Sequence, residues 1–188
     1  MRHAPLTHLD ALETLLLENG HDLYSGEAVS QLEHALQAAY AAEQADADPA
    51  LITAALLHDV GHLASRQQAS DLASGIDDRH EALAVQLLND LFDHDVLQPI
   101  ALHVAAKRYL ASTEPGYLHS LSPASLRSLA LQGGPMSSSE VARFQQRPNA
   151  HQALALRRFD EQAKVPGLPT PPLSHFLAIA ATVMKACP

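Results

Sequence analysis

Residues 51–64 read LITAALLHDVGHLA, an apolar run into which His58, Asp59 and His62 are set. An imidazole or carboxylate buried among Leu, Ile and Val costs several kcal/mol unless a partner inside the protein receives it. Any fold open to this chain must therefore bring other polar groups to this one segment. His58 and His62 stand four residues apart and share a helical face, while Asp59 lies about 100° further round the helix. The carboxylate can then address a different point from the imidazoles, and its two oxygens can serve two neighbouring cations.

Helix-period patterning fills the rest of the chain, and no stretch alternates apolar and polar residues long enough for a substantial sheet. The expected fold is all-α, a compact helical bundle over residues 1–188 as one domain. A first helix is predicted from about Thr7 to Asn19 and Gly20. A second covers about Ala28 to Ala45, where Val29, Leu32, Leu36 and Tyr40 keep helical spacing. Asp48 followed by Pro49 opens the quoted helix, which the glycine of DVGH helps to end. Asp77 or Asp78 caps a helix through about Asp93, and another runs from about Val96 to Leu110. ASTEPGYLHSLSP reads as a loop, after which Ser122 and Pro123 start a short helix that Gly133, Gly134 and Pro135 break. Ser137 with Glu140 forms a capping-box pattern for a helix that stops before Pro148. A helix from about Asn149 to Lys164 precedes VPGLPTPP, a surface crossing within one domain, and Ser174 caps a last helix ending near Lys185.

Composition narrows the function. The net charge of -9 with only 12 Lys and Arg argues against a nucleic-acid or anionic-membrane surface. A small anionic ligand held by a few well-placed cations stays open. No apolar run approaches the roughly 20 residues of a membrane span, and the N-terminus has no signal-peptide pattern, so a cytoplasmic location is expected. The one cysteine, Cys187, offers neither an internal disulfide nor a thiolate cluster. A metal would have to use the 12 histidines and the carboxylates.

His34, His58, Asp59, His62, His80, His103 and Asp160 fall in helical segments, and facing helices of a bundle can turn such side chains inward. Without His62 their order, H...HD...H...H...D, resembles the HD-domain metalloenzyme superfamily. The segments YSGEAVSQLEHALQAAY, AALLHDVGH, HVAAKRYL, LQGGPM and RRFDEQAK resemble its organophosphonate-cleaving, mixed-valent diiron oxygenase branch. The resemblance implies a dinuclear site in the core: one iron held by His34, His58, Asp59 and Asp160, the other by Asp59, His80 and His103. The implied cofactors are Fe(II) and Fe(III), with O2 as co-substrate.

Lys107 follows His103 by four residues and Arg157 precedes Asp160 by three, so both cations share a face with an implied ligand. A phosphonate wants such charge-assisted donors. Ser125 and Gln132 are neutral candidates for the same group, and His62 is assigned to substrate or hydrogen bonding around the metals. Glu27 suits a substrate ammonium, and the resemblance implies that Tyr24 can occupy the second iron before substrate arrives. The implied reaction cleaves the C–P bond of a 1-hydroxy-2-(substituted)aminoethylphosphonate with O2, giving phosphate and glycine or an N-methylated glycine. The alternative is a metal-dependent HD phosphohydrolase acting on a phosphomonoester or nucleotide, in which metal-bound water attacks phosphorus without O2. The expected partner is a small organophosphonate, and the chain is expected to be a monomer or small homo-oligomer.

Overall fold

The computed structural model describes residues 4–24, 26–65 and 79–186, and these form helices with no named strand. In chain order the helices are α1 (Leu9–Asn19), α2 (Gln31–Gln44), α3 (Pro49–Leu57), α4 (Val60–Ser65), α5 (His80–Leu88), α6 (His94–Thr113), α7 (Tyr117–Ser120), α8 (Pro123–Leu131), α9 (Ser138–Gln145), α10 (Ala150–Gln162) and α11 (Leu173–Ala181). None of the described helices is long and apolar enough to cross a membrane.

Local sequence explains four of the starts. Asp48 accepts a hydrogen bond from the Leu51 amide with Pro49 in the first turn, and Ser122 does the same for the Ser125 amide ahead of Pro123. Ser137 and Glu140 close the expected capping box on α9. A second box, Ser30 with Glu33, starts α2 three residues later than its apolar spacing predicts. The residues before it form a strap instead: the Tyr24 amide donates to Val29 O at 2.9 Å, and the Gln31 amide donates to Asp22 O at 2.9 Å.

α3 is the axis. Its residues Leu51 to Leu57 are all buried, which an apolar run with no polar face requires, and it packs against α2, α6, α10 and α11. The main core joins Leu12 and Leu16 of α1, Ala38 of α2, Leu56 of α3, Leu88 of α5, Ile100 of α6, Leu156 of α10 and Phe176 of α11. A smaller cluster of Leu110, Tyr117, Leu121 and Leu129 fastens α7 and α8 to the end of α6.

Several expected boundaries move for identifiable reasons. The quoted segment breaks at His58 and Asp59, and Gly61 lies inside α4 rather than ending a helix. A Cβ at Gly61 would stand 2.1 Å from the backbone oxygen of His80, so glycine is there to let α4 and α5 touch. The cap expected at Asp77 or Asp78 lies outside the described residues, and α5 stops at Leu88 rather than Asp93. Leu91 and Phe92 then turn into the core, where Phe92 bridges Met184 and Leu91 O accepts from the Lys185 amide at 2.9 Å. That pairing ends α11 at Ala181 instead of near Lys185. Pro172, not Ser174, occupies its N-cap position. The expected loop after α6 contains the turn of helix α7.

Candidate metal centre

Five parts of the bundle deliver the titratable cluster. His34 comes from α2, His58 and Asp59 from the break between α3 and α4, His80 from the start of α5, His103 from the middle of α6, and Asp160 from α10. His34 and His58 are wholly buried, and His103 and Asp160 nearly so.

Backbone carbonyls fix three of the rings. The Nδ1–H of His34 donates to Ala163 O at 2.7 Å, that of His58 to Ala55 O at 2.9 Å, and that of His103 to Ile100 O at 2.7 Å. Each ring is thereby left with its lone pair on Nε2, facing inward. The Nε2 atoms of His34 and His58 lie 3.3 Å apart, and Asp59 Oδ2 stands 3.7 Å and 3.5 Å from them. Asp160 Oδ1, 3.5 Å from His34 Nε2, is buried with no hydrogen bond. Four acceptors converge with no proton between them, an arrangement that calls for a cation.

The other carboxylate oxygen faces a second set. Asp59 Oδ1 lies 3.4 Å from His80 Nε2 and 3.5 Å from His103 Nε2, and these two nitrogens are 3.0 Å apart. His62 stacks on His80 with ring centroids 3.9 Å apart, and its Nε2 is 3.9 Å from the same oxygen. His62, kept out of the metal set on sequence grounds, is close enough to Asp59 and His80 to be counted among possible donors. All donors are imidazole or carboxylate, which suits non-haem iron and other first-row divalent ions.

Burial pushes the His34 imidazole down to about 4. It lowers His103 too, with His80 adding to it. Burial opposes charge on Asp59, yet the imidazoles of His58, His62, His80 and His103 hold its carboxyl well below the usual range. Tyr24 stacks on His34 at 3.8 Å between centroids, 11° from parallel. Burial and the charges of Asp59 and Asp160 raise its phenol well above the ordinary value. A bound cation would reverse the sign of that last influence.

Beside this centre lies a cationic wall. Lys107 is buried and donates to Ser128 Oγ at 2.9 Å. Burial, with Arg157 next in weight, pushes its ammonium down to about 7. Arg157 does not present an open fork: its guanidinium bonds Asp160, Glu161 and the Tyr117 hydroxyl. Ser125 is buried and accepts from Lys164 at 3.0 Å. Glu27, on the strap that carries Tyr24, and Gln132, at the end of α8, each keep a buried side-chain oxygen with no hydrogen bond.

Sequence reasoning assigned no role to Lys164, Tyr117, Glu161, Ser128 or Gln37. Two of them had a signal. Lys164 follows Asp160 by four residues and Gln37 follows His34 by three, the spacings that singled out Lys107 and Arg157. Tyr117 sits in a segment without periodicity and had none.

The family model described as HD domain matches residues 32–161, a span that takes in all six of the residues delivered by those five parts of the bundle. A hydroxymethylphosphonate dioxygenase from Gimesia maris is 44% identical over 173 residues, covering 92% of this chain and 86% of its own. A [1-hydroxy-2-(trimethylamino)ethyl]phosphonate dioxygenase (glycine-betaine-forming) from Leisingera caerulea is 42% identical over 157 residues, covering 84% and 80%. An uncharacterized protein of Acanthamoeba polyphaga mimivirus is 34% identical over 173 residues, covering 91% and 79%.

Proposed function

The chain belongs to the HD domain family, and on that premise we propose that it is a diiron oxygenase that cleaves the C–P bond of a 1-hydroxy-2-(substituted)aminoethylphosphonate. What carries the reading is the likeness, over most of the chain, to two relatives that are both named as phosphonate dioxygenases. The donor set supports it. His34, His58, Asp59 and Asp160 would hold one iron, and Asp59, His80 and His103 the other. The Fe(II)/Fe(III) pair would supply the redox chemistry by which O2 oxidises the hydroxyl-bearing carbon, so that substrate and O2 become a carboxylate and phosphate.

The protein's own residues bind, orient and exclude water. Lys107, Arg157, Ser125 and Gln132 receive the phosphonate, and Arg157, already tied to Asp160, links that group to the metal side. His62 lies beside Asp59 and His80, where it can hydrogen-bond substrate oxygens. Tyr24, stacked on His34, would be placed to occupy the second iron before substrate arrives. Glu27 pairs with the substituent. Its partnerless buried oxygen favours an ammonium-bearing substrate over a bare hydroxymethyl group. Four Phe, four Tyr and no Trp supply few rings for a trimethylammonio cage, which favours the smaller amine.

Iron-loaded protein should release phosphate from 2-amino-1-hydroxyethylphosphonate under O2 and none under argon, with matching glycine. Hydroxymethylphosphonate and the trimethylammonio analogue should be turned over more slowly, and Glu27→Gln should narrow the gap to hydroxymethylphosphonate. Phosphate freed from phosphomonoesters under argon, with none from phosphonates under O2, would replace this reading with hydrolysis.

A further inference from the structure

Lys164 lies in a short segment that is held from both sides. Its neighbour Ala163 gives its carbonyl to the Nδ1–H of His34. Its other neighbour, Val165, is gripped at both backbone groups by the buried Gln37 amide: Gln37 Nε2 donates to Val165 O at 2.8 Å, and the Val165 amide donates to Gln37 Oε1 at 3.0 Å. Three contacts from one face of α2 therefore fix the backbone on which Lys164 stands. Such a clamp is more than a solvated lysine needs.

The side chain runs inward from this clamp, with only 12% of its surface exposed. Its ammonium donates to Ser125 Oγ at 3.0 Å and stands 3.7 Å from Glu161 Oε2. On the same turn of α8, Ser128 donates to Ser125 O at 3.1 Å and receives Lys107 at 2.9 Å. The two ammonium groups are thus joined through one serine turn. Each has three N–H donors and spends one on a hydroxyl. Arg157 completes the group, with its fork spent on Asp160, Glu161 and Tyr117.

The charge balance of this wall is positive. Lys107, Arg157 and Lys164 adjoin one another, and burial together with the other two cations weakens the hold of Lys107 on its proton. Glu161 faces both Arg157 and Lys164, while Asp160 gives one oxygen to Arg157 and turns the other to His34. An incoming dianion would relieve this repulsion, and neither ammonium is held closely by a carboxylate: Lys164 stands 3.7 Å from Glu161, and Lys107 donates to the Ser128 hydroxyl.

We propose that Lys164 is a direct ligand of the substrate's phosphonate, forming with Lys107 and the Ser125–Ser128 turn a two-ammonium seat that the His34 and Gln37 clamp holds beside the metal centre. The inference rests on the phosphonate reading of the site. Arg157 then acts chiefly as a bridge between this seat and Asp160.

The test measures inorganic phosphate binding to metal-loaded protein by calorimetry, so that it does not depend on turnover. Lys164→Met should weaken phosphate binding about tenfold or more, the range of a lost charge-assisted hydrogen bond, with metal content and melting temperature unchanged. Lys164→Arg should bind within about threefold of the parent protein, because a cation is kept at the seat. In an active preparation Lys164→Met should raise KM for the phosphonate far more than it lowers kcat. Unchanged phosphate binding by Lys164→Met would overturn the proposal. So would loss of metal or of melting temperature that Lys164→Arg does not rescue, which is the mark of a purely structural lysine. Phosphate binding that depends on Lys164 in a protein that turns over no phosphonate would leave the seat standing and remove the oxygenase reading instead.

Discussion

Burial holds the imidazoles of His34 and His103 towards the neutral form, and that has a measurable cost in acid. His34 titrates at about 4 in the fold, against an ordinary value of 6.5, because burial opposes its charge. Between those values the unfolded chain takes up a proton that the folded one refuses. Stability without metal is therefore full above about pH 6.5 and falls as the pH drops towards about 4. From about pH 7.5 to about pH 5, His34 alone should remove roughly 2 kcal/mol, and His103, lowered in the same direction, should add to it. Urea midpoints of metal-free protein at the two pH values check this; an equal or higher midpoint at pH 5 would contradict it. At this scale the sequence was informative about donors and less so about their partners. His34, His58, Asp59, His80, His103 and Asp160 could be read from order and residue type, and the structure brings all six together. The carbonyls of Ala55, Ile100 and Ala163 that fix three rings could not, since a backbone acceptor carries no residue signature. The engagement of Arg157 by Tyr117 was equally hidden, because it spans 40 residues from a segment with no pattern.

Helices α4 and α5 touch at one glycine, and that contact sets where His80 stands. Gly61→Ala would place a methyl 2.1 Å from His80 O and 3.1 Å from the Ala84 amide nitrogen. Both are backbone atoms of a helix, so neither can swing away. The variant should lose about 1–3 kcal/mol and retain less metal, as α5 and His80 are pushed from Asp59. Thermal melting and metal content report the two effects; a stable variant with full metal content would contradict the close-packing account. Where elements begin was legible at Asp48, Ser122 and Ser137, whose side chains cap their helices, but not at Ser30, where apolar spacing placed the start three residues early. Where they break was not. The turn at His58 and Asp59 lies in a segment with no local breaker until Gly61, and it lets two adjacent residues face the same centre. The start of α5 follows from tertiary packing too, since its N-cap position, Arg79, has a left-handed backbone and makes no side-chain cap.

Across the whole molecule, the all-α class followed from periodicity alone, while the arrangement around one carboxylate needed the bundle to be assembled. α2, the α3–α4 break, α5, α6 and α10 come from separate parts of the chain and converge around Asp59. Its two oxygens face two donor sets, His34, His58 and Asp160 on one side, His80 and His103 on the other. On the proposed reading, that division serves two metal ions in one chain, sharing one aspartate. Metal-free protein titrated anaerobically with Fe(II) should bind two ions per chain, and Asp59→Ala, checked for helical content, should bind neither tightly. Saturation of the parent protein at one ion, or an Asp59→Ala protein that still holds two, would contradict it.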